Sequence, residues 1–171
     1  HNSAYFWEER NVWFSDLWEL KGTMQKLKKG ASRARSAAFP FELAYRLVNM
    51  YSMKYDLVYD PFAGTGTVEK AAIASERNSI GVDIDANLCE QATSEAVQSI
   101  TELNLYTMDR ISRHKEFIDS LPTEKKEKLY ENVNHSFKVK TRQDIEILIT
   151  LLNSAQSIGN EIVCSYEKAD A

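Results

Sequence analysis

Apolar positions fall into short stretches of contrasting period. Leu57-Val58-Tyr59, bounded by Asp56 and Asp60, is a continuous apolar run that meets Pro61 and a pair of glycines, as a buried parallel strand entering a turn would. From Thr67 to Glu76, Val68, Ala71, Ala72 and Ile73 recur at helical spacing, and Ser79-Ile80-Gly81-Val82-Asp83-Ile84 reads as a second strand. Together they predict a βαβ unit. Upstream, Pro40 suits the start of a helix over 40–52, with Leu43, Leu47, Val48 and Tyr51 at helical spacing. Downstream, the pattern predicts a helix over 87–104, then charged and largely helical sequence to about Tyr130. Thr141 is placed to cap a helix through Asn153 with Ile145, Leu148, Ile149 and Leu152 inward, and Glu161 to Tyr166 adds a last strand. The expected fold class is α/β, a parallel sheet flanked by helices. One domain over 1–171 is expected, divided into an aromatic segment and basic loop (1–35), a βαβ core (36–105) and a mostly helical C-terminal part (106–171).

Length and composition agree with a single compact core: 171 residues, 43% hydrophobic and 27% charged. No apolar run is long enough to cross a bilayer, so no membrane partner is expected. Cys89 and Cys164 lie far apart and form neither a metal pair nor a disulfide framework, which points to a reducing cytoplasm. The chain opens on His1 without an initiator Met or a targeting pattern and is expected to be a fragment or a processed product. A net charge of -4 conceals a local asymmetry: Lys21, Lys26, Lys28, Lys29, Arg33 and Arg35 follow one another with no intervening acid. They are candidates for phosphate contact; a solvated loop is the competing reading. Tyr5, Phe6, Trp7, Trp13, Phe14 and Trp18 crowd the opening segment and, at that density, are expected to pack into a core.

The glycine turn is the main candidate for chemistry. In a βαβ unit the turn after the first strand lets a ligand approach backbone amides, and the next helix points its positive end there. Gly64 and Gly66 occupy that turn. A dinucleotide site would want a third glycine three residues on, where this chain has Glu69. Asp83, 17 positions after Gly66, stands where an acid would take ribose hydroxyls. The pattern suits an adenosyl ligand without a pyrophosphate, with an ordinary α/β turn as the alternative.

The stretch Asp60-Pro61-Phe62-Ala63-Gly64-Thr65-Gly66-Thr67, followed by Gly81-Val82-Asp83-Ile84-Asp85, closely resembles the cofactor motifs of amino-group DNA methyltransferases that modify adenine or cytosine. Arg35-Ser36-Ala37-Ala38-Phe39-Pro40-Phe41-Glu42-Leu43 resembles the other cofactor motif of that family. The resemblance implies a partial Rossmann-like methyltransferase fold, S-adenosyl-L-methionine as cofactor, DNA as partner and a prokaryotic cytoplasm. Phe62, Ala63, Gly64 and Gly66, with Pro61, Thr65 and Thr67 in the same turn, would cradle the amino-acid end of the cofactor, and Asp60 would lie near its ammonium. Asp83, with Ile84 beside it, would hold the ribose. Ser36, Ala37, Phe39 and Pro40, backed by Glu42, would line the opposite side. The basic residues Lys21, Lys26, Lys28, Lys29 and Arg33 would contact DNA.

Methyl transfer to an exocyclic amine requires the nitrogen lone pair aimed at the sulfonium methyl, on a base flipped from the duplex. The family does this with a short Asp/Asn/Ser-Pro-Pro-aromatic motif. Pro40, Pro61 and Pro122 are the only prolines and no two are adjacent, so no catalytic residue is assigned. In the permuted class the catalytic motif precedes the cofactor motifs. A preceding segment or a second chain is therefore expected to carry it. Two other readings stand beside this one: a non-catalytic cofactor-binding subunit, and a guanosine-modifying RNA methyltransferase, which the absence of its motif between Asp85 and Ala171 disfavours. His1, His114 and His135 show no metal-ligand spacing with each other or with the cysteines, and neither Ser nor Cys sits in a nucleophile turn, so no metal or covalent nucleophile is expected.

Overall fold

The computed structural model describes residues 5–20 and 39–169. Ser36, Ala37 and the basic stretch with Lys21, Lys26, Lys28, Lys29, Arg33 and Arg35 lie outside the described residues. In chain order the elements are α1 (Trp7–Trp13), α2 (Phe41–Tyr51), β1 (Leu57–Asp60), α3 (Thr67–Ala74), β2 (Asn78–Gly81), α4 (Ala86–Gln98), α5 (Ile100–Ser120), α6 (Thr123–Lys126), β3 (Tyr130–Glu131), β4 (Lys138–Val139), β5 (Thr150–Ile158) and β6 (Glu161–Lys168). Strands β1 and β2 pair in parallel with Val58 opposite Ser79 and Asp60 opposite Gly81; β3–β4 and β5–β6 are antiparallel pairs. The fold is α/β, and the predicted βαβ unit is present, with α3 as its crossover.

Helix α2 buries Ala44, Tyr45, Val48 and Asn49. That stripe is rotated from the expected one, because Leu47 and Tyr51 face outward. Polar side chains fix α2 to the end of α3: Asn49 Nδ2 donates to Ser75 Oγ at 3.0 Å, and the buried Arg77 donates to the Ser52 and Ser75 carbonyls at 2.7 and 2.6 Å. These bonds satisfy groups that burial would otherwise leave without water. The first core lies between α2, α3, α4 and α5 around Tyr45, Val48, Ala71, Ile73 and Leu103, and Leu152 of β5 joins it.

The opening aromatic segment packs mainly inward, as its composition suggested. Phe6 is buried and stacks on His114 of α5 at 3.8 Å between ring centroids, and Trp13 is buried against Tyr45. Phe14 is the exposed exception beside Tyr5. Glu9 of α1 takes the guanidinium of Arg110 through two bonds of 2.6 and 2.8 Å, so a charged pair anchors α1 across α5.

Two expectations need correction. The predicted 87–104 helix is the pair α4 and α5, broken at Ser99, with α5 running on to Ser120. The C-terminal part is not mostly helical, and no helix runs from Thr141 to Asn153. Thr141 caps only a 3-10 turn, Arg142–Asp144, with its Oγ1 on Asp144 Oδ2 at 2.8 Å, and β5 begins at Thr150. Ile145 still has α-region backbone at the end of that turn, and residues 147–149 lead without regular structure into β5. Ile147 and Ile149 fill a second core with Phe6, Ile111, Phe137 and Val139. The predicted last strand is present and longer, as β6, and Asn104 of α5 bonds both the N–H and the carbonyl of Leu152 at 2.9 Å where the hairpin register shifts. No helix among the described residues is long and apolar enough to cross a membrane.

Candidate functional site

The site is built at the carboxyl ends of β1 and β2, the side on which open α/β sheets bind ligands. Asp60 ends β1 and accepts the Phe62 N–H at 2.9 Å, which folds the chain over Pro61. Gly64 and Gly66 both have left-handed backbone, with φ of +54° and +77°. At Gly66 a side chain is excluded twice over, since a Cβ there would lie 2.9 Å from the Cβ of Ala92 on α4. Gly66 is the residue before α3, and the free N–H groups of that helix's first turn open on the shelf.

Asp83 lies just past β2 and locks the turn in place. Its Oδ2 accepts the Gly64 N–H at 3.0 Å and its Oδ1 accepts the Asp85 N–H at 2.9 Å. Asp85 caps α4 by accepting the Asn87 N–H at 3.0 Å. Phe62 is 86% exposed and Ile84 97% exposed, which puts two apolar side chains on the open side of the shelf.

The structure thus brings Asp60, Pro61, Phe62, Ala63, Gly64, Thr65, Gly66, Thr67, Asp83 and Ile84 together. Phe39 is exposed and Pro40 half-buried just before α2. Glu42 is engaged elsewhere: its carboxylate is held by Arg46, four residues along α2, whose guanidinium also lies 5.3 Å from the Trp18 ring. A small polar cavity of about 20 Å³, room for one water, lies among Asn49, Lys54, Arg77, Thr107 and Arg110 and shares no residue with the turn. Among the described residues no group of three His, Cys, Asp or Glu is placed to hold a metal ion.

Glu69 is the residue whose part in the site was not read from the sequence. Its carboxyl lies beneath the shelf, at the position where a Cβ on Gly81 would come within 2.1 Å of Oε1. Gly81 therefore serves the close helix–strand packing that a third glycine in the turn would otherwise serve. No sequence signal marks it, because its nearness to Gly81 arises only from the packing of α3 on β2.

A family model described as DNA methylase matches residues 1–94. The type II methyltransferase M.MthZI of Methanothermobacter thermautotrophicus is 47% identical over 170 residues, which is 98% of this chain and 46% of that protein. The type II methyltransferase M.MjaI of Methanocaldococcus jannaschii is 51% identical over 86 residues, 50% of this chain and 28% of that protein. The chain thus spans less than half the length of these relatives. A crystal structure of a candidate DNA modification methylase of Thermus thermophilus, complexed with S-adenosyl-L-methionine, is similar over 57% of this chain and 35% of its own, at 32% identity and a TM-score of 0.48. With the family model covering more than half of its residues, the chain belongs to the N6/N4 DNA methylase family.

Proposed function

We propose that this chain binds S-adenosyl-L-methionine on the Asp60–Thr67 shelf and forms the cofactor-binding part of a methyltransferase acting on an amino group of adenine or cytosine in DNA. The observation that carries the reading is the joining of the glycine turn to Asp83 by a 3.0 Å hydrogen bond. That bond sets backbone N–H groups and carboxylates side by side on one surface. A pyrophosphate would be repelled by Asp60, Asp83 and the buried Glu69. A ligand with an ammonium, a sulfonium and one carboxylate suits them, because its carboxylate meets the amide end of α3 and its cations meet the acids.

When bound, the cofactor supplies an electrophilic methyl group on sulfur. The chain's own residues hold and orient. Gly64 and Gly66, lacking side chains, allow backbone approach; Asp60 faces the ammonium; Asp83 accepts from the ribose hydroxyls; Ile84 and Phe62 offer apolar faces. Ser36, Ala37, Phe39 and Pro40 are assigned to the methionine end of the cofactor, and Lys21, Lys26, Lys28, Lys29 and Arg33 to DNA phosphates. Glu42, held by Arg46, supports α2 from behind.

The acceptor base and its proton acceptors are assigned to another polypeptide segment, of the same protein or of a partner. The support is an open sheet face. Leu57, Tyr59, Ile80 and Val82, at alternate positions on β1 and on β2 with the residue after it, are all exposed. Parallel strands are normally covered on both faces, and four large apolar side chains left open there mark a surface made to be covered. The relatives carry more than half their length outside the matched region. The test mixes the chain with methyl-labelled cofactor and duplex DNA, alone and with a polypeptide bearing the proline-pair motif. Cofactor retained by the chain alone, with label reaching DNA only in the mixture, is the expected result. Transfer to DNA by the chain alone would refute the division of labour, and failure to retain the cofactor would refute the reading itself.

A further inference from the structure

One carboxyl group beneath the glycine turn has no conventional structural role. Both oxygens of Glu69 are shielded from solvent and have no hydrogen-bond partner among the described residues. They occupy the space between two glycines: Oε1 is 2.1 Å from the Cβ position of Gly81, and Oε2 is 3.7 Å from that of Gly66. The Cβ of Ala63, on the turn itself, closes the same space at 2.9 Å from the Gly81 Cβ position. The carboxyl is thus pressed against the underside of the surface that carries Asp60 and Asp83.

Among the described residues no cation answers it. The next residue, Lys70, is held by Glu95 of α4 at 2.9 Å. The charge that bears on Glu69 from the strands is that of an acid, Asp60 at the end of β1. Burial pushes its carboxyl up to about 6, its own backbone N–H draws it down without forming an aligned hydrogen bond, and the charge of Asp60 pushes it up again. An uncompensated buried carboxylate is unfavourable; the group keeps its proton or acquires a counter-charge.

We propose that Glu69 is a positioning carboxylate for the cofactor turn: its ionised form is stabilised when a ligand of net positive charge settles on the shelf, and so favours the cationic methyl donor over its neutral thioether product. The proposal rests on the cofactor reading above. Below the midpoint, where the free chain still holds the proton, binding breaks only the carboxyl O–H bond, and the proton passes to the solvent. The donor carries one more positive charge than the product left after methyl transfer, so the field of Glu69 discriminates between them. The shelf is thereby biased toward releasing spent cofactor.

Titration calorimetry tests this on the chain and its Glu69→Gln variant, with S-adenosyl-L-methionine and S-adenosylhomocysteine, near pH 5 and at pH 7.5, in buffers of different protonation enthalpy. Donor affinity is expected to rise roughly 5- to 10-fold across that interval, as linkage requires when the ligand returns a raised carboxyl to its ordinary range. Donor binding near the lower pH should release protons, the product should show roughly a twofold change or less, and Glu69→Gln should abolish the difference. Equal pH dependence for donor and product, or in wild type and variant, would overturn the proposal while leaving the cofactor reading intact. Failure of the wild type to bind either ligand at any pH would overturn the cofactor reading and the proposal with it. Should the variant not fold, ¹³C titration of the Glu69 carboxyl in the wild-type chain decides: a midpoint lowered by the donor supports the proposal, and an unchanged midpoint refutes it.

Discussion

The carboxylate of Asp83 accepts the backbone N–H of Gly64 at 3.0 Å, across 19 positions of sequence. An acid at the end of one strand is thereby fixed to the turn that follows its parallel neighbour. The turn is a shaped surface before any ligand arrives, which reduces the ordering that binding must impose.

Gly66→Ala should cost more than Gly64→Ala. Both positions have positive φ, for which an L side chain costs roughly 1–2 kcal/mol. Only at Gly66 does the new Cβ also meet α4, 2.9 Å from Ala92; at Gly64 the nearest atom is the Phe62 carbonyl oxygen at 3.9 Å. Thermal melts should rank the two, and equal melting temperatures would mean that α4 yields freely at Ala92.

Gly81 and Glu69 should be coupled. Gly81→Ala is expected to destabilise by about 1–2 kcal/mol, because the added methyl displaces the buried carboxyl and crowds Ala63. In a double-mutant cycle with Glu69→Ala most of that cost should vanish, a coupling of roughly 1 kcal/mol. Additive effects would show that Ala63 alone sets the limit.

Arg110→Met should be among the most damaging single changes. The guanidinium is buried, bonded twice to Glu9 and once to the Tyr45 hydroxyl, and lies against the rings of Phe6, Trp13 and Tyr45. Removing it strands Glu9, at a cost of roughly 3–5 kcal/mol. Urea unfolding measures the loss, and hydrogen exchange should show α1 opening first.

Acid should weaken the molecule partly through Glu76. Burial alone would push its carboxyl up, but hydrogen bonds from Lys54, Thr150 and Tyr55 and the charge of Lys54 hold it below its ordinary range. Lys54 is pushed down by burial against the pull of Glu76, yet it stays charged throughout acid conditions, so Glu76 governs the acid limb. A depressed folded value means that the unfolded chain binds the proton more readily. The stabilisation is present above the unfolded carboxyl range, about 4.3, and is lost as pH falls through the lower folded value. Glu76→Gln should flatten that part of the stability–pH curve; an unchanged acid limb would place the linkage elsewhere.

The βαβ core was legible because its signals are local. Pro61, Gly64 and Gly66 punctuate the chain where β1 must end, and the apolar spacing of α3 has no competing period. The tail was not legible, because Ile145, Leu148, Ile149 and Leu152 fit a helix, yet the chain makes only a 3-10 turn at Arg142–Asp144 and enters strand β5 at Thr150. Pairing with β6 and contact with α5 hold β5, and neither is written in residues 141–153. In α2 two apolar stripes compete, and packing against α3 selected Ala44, Tyr45 and Val48 over Leu47 and Tyr51. Asp83 could be picked out by its distance from Gly66. Glu69 could not, since only the parallel register brings it beneath Gly81.

The most direct test of the account is calorimetric titration of S-adenosyl-L-methionine into the chain and into Asp83→Ala. The account predicts saturable binding by the wild type and a loss of roughly tenfold or more in the variant, or about 1.4 kcal/mol. Absence of binding by the wild type, or equal affinity in both proteins, would contradict it.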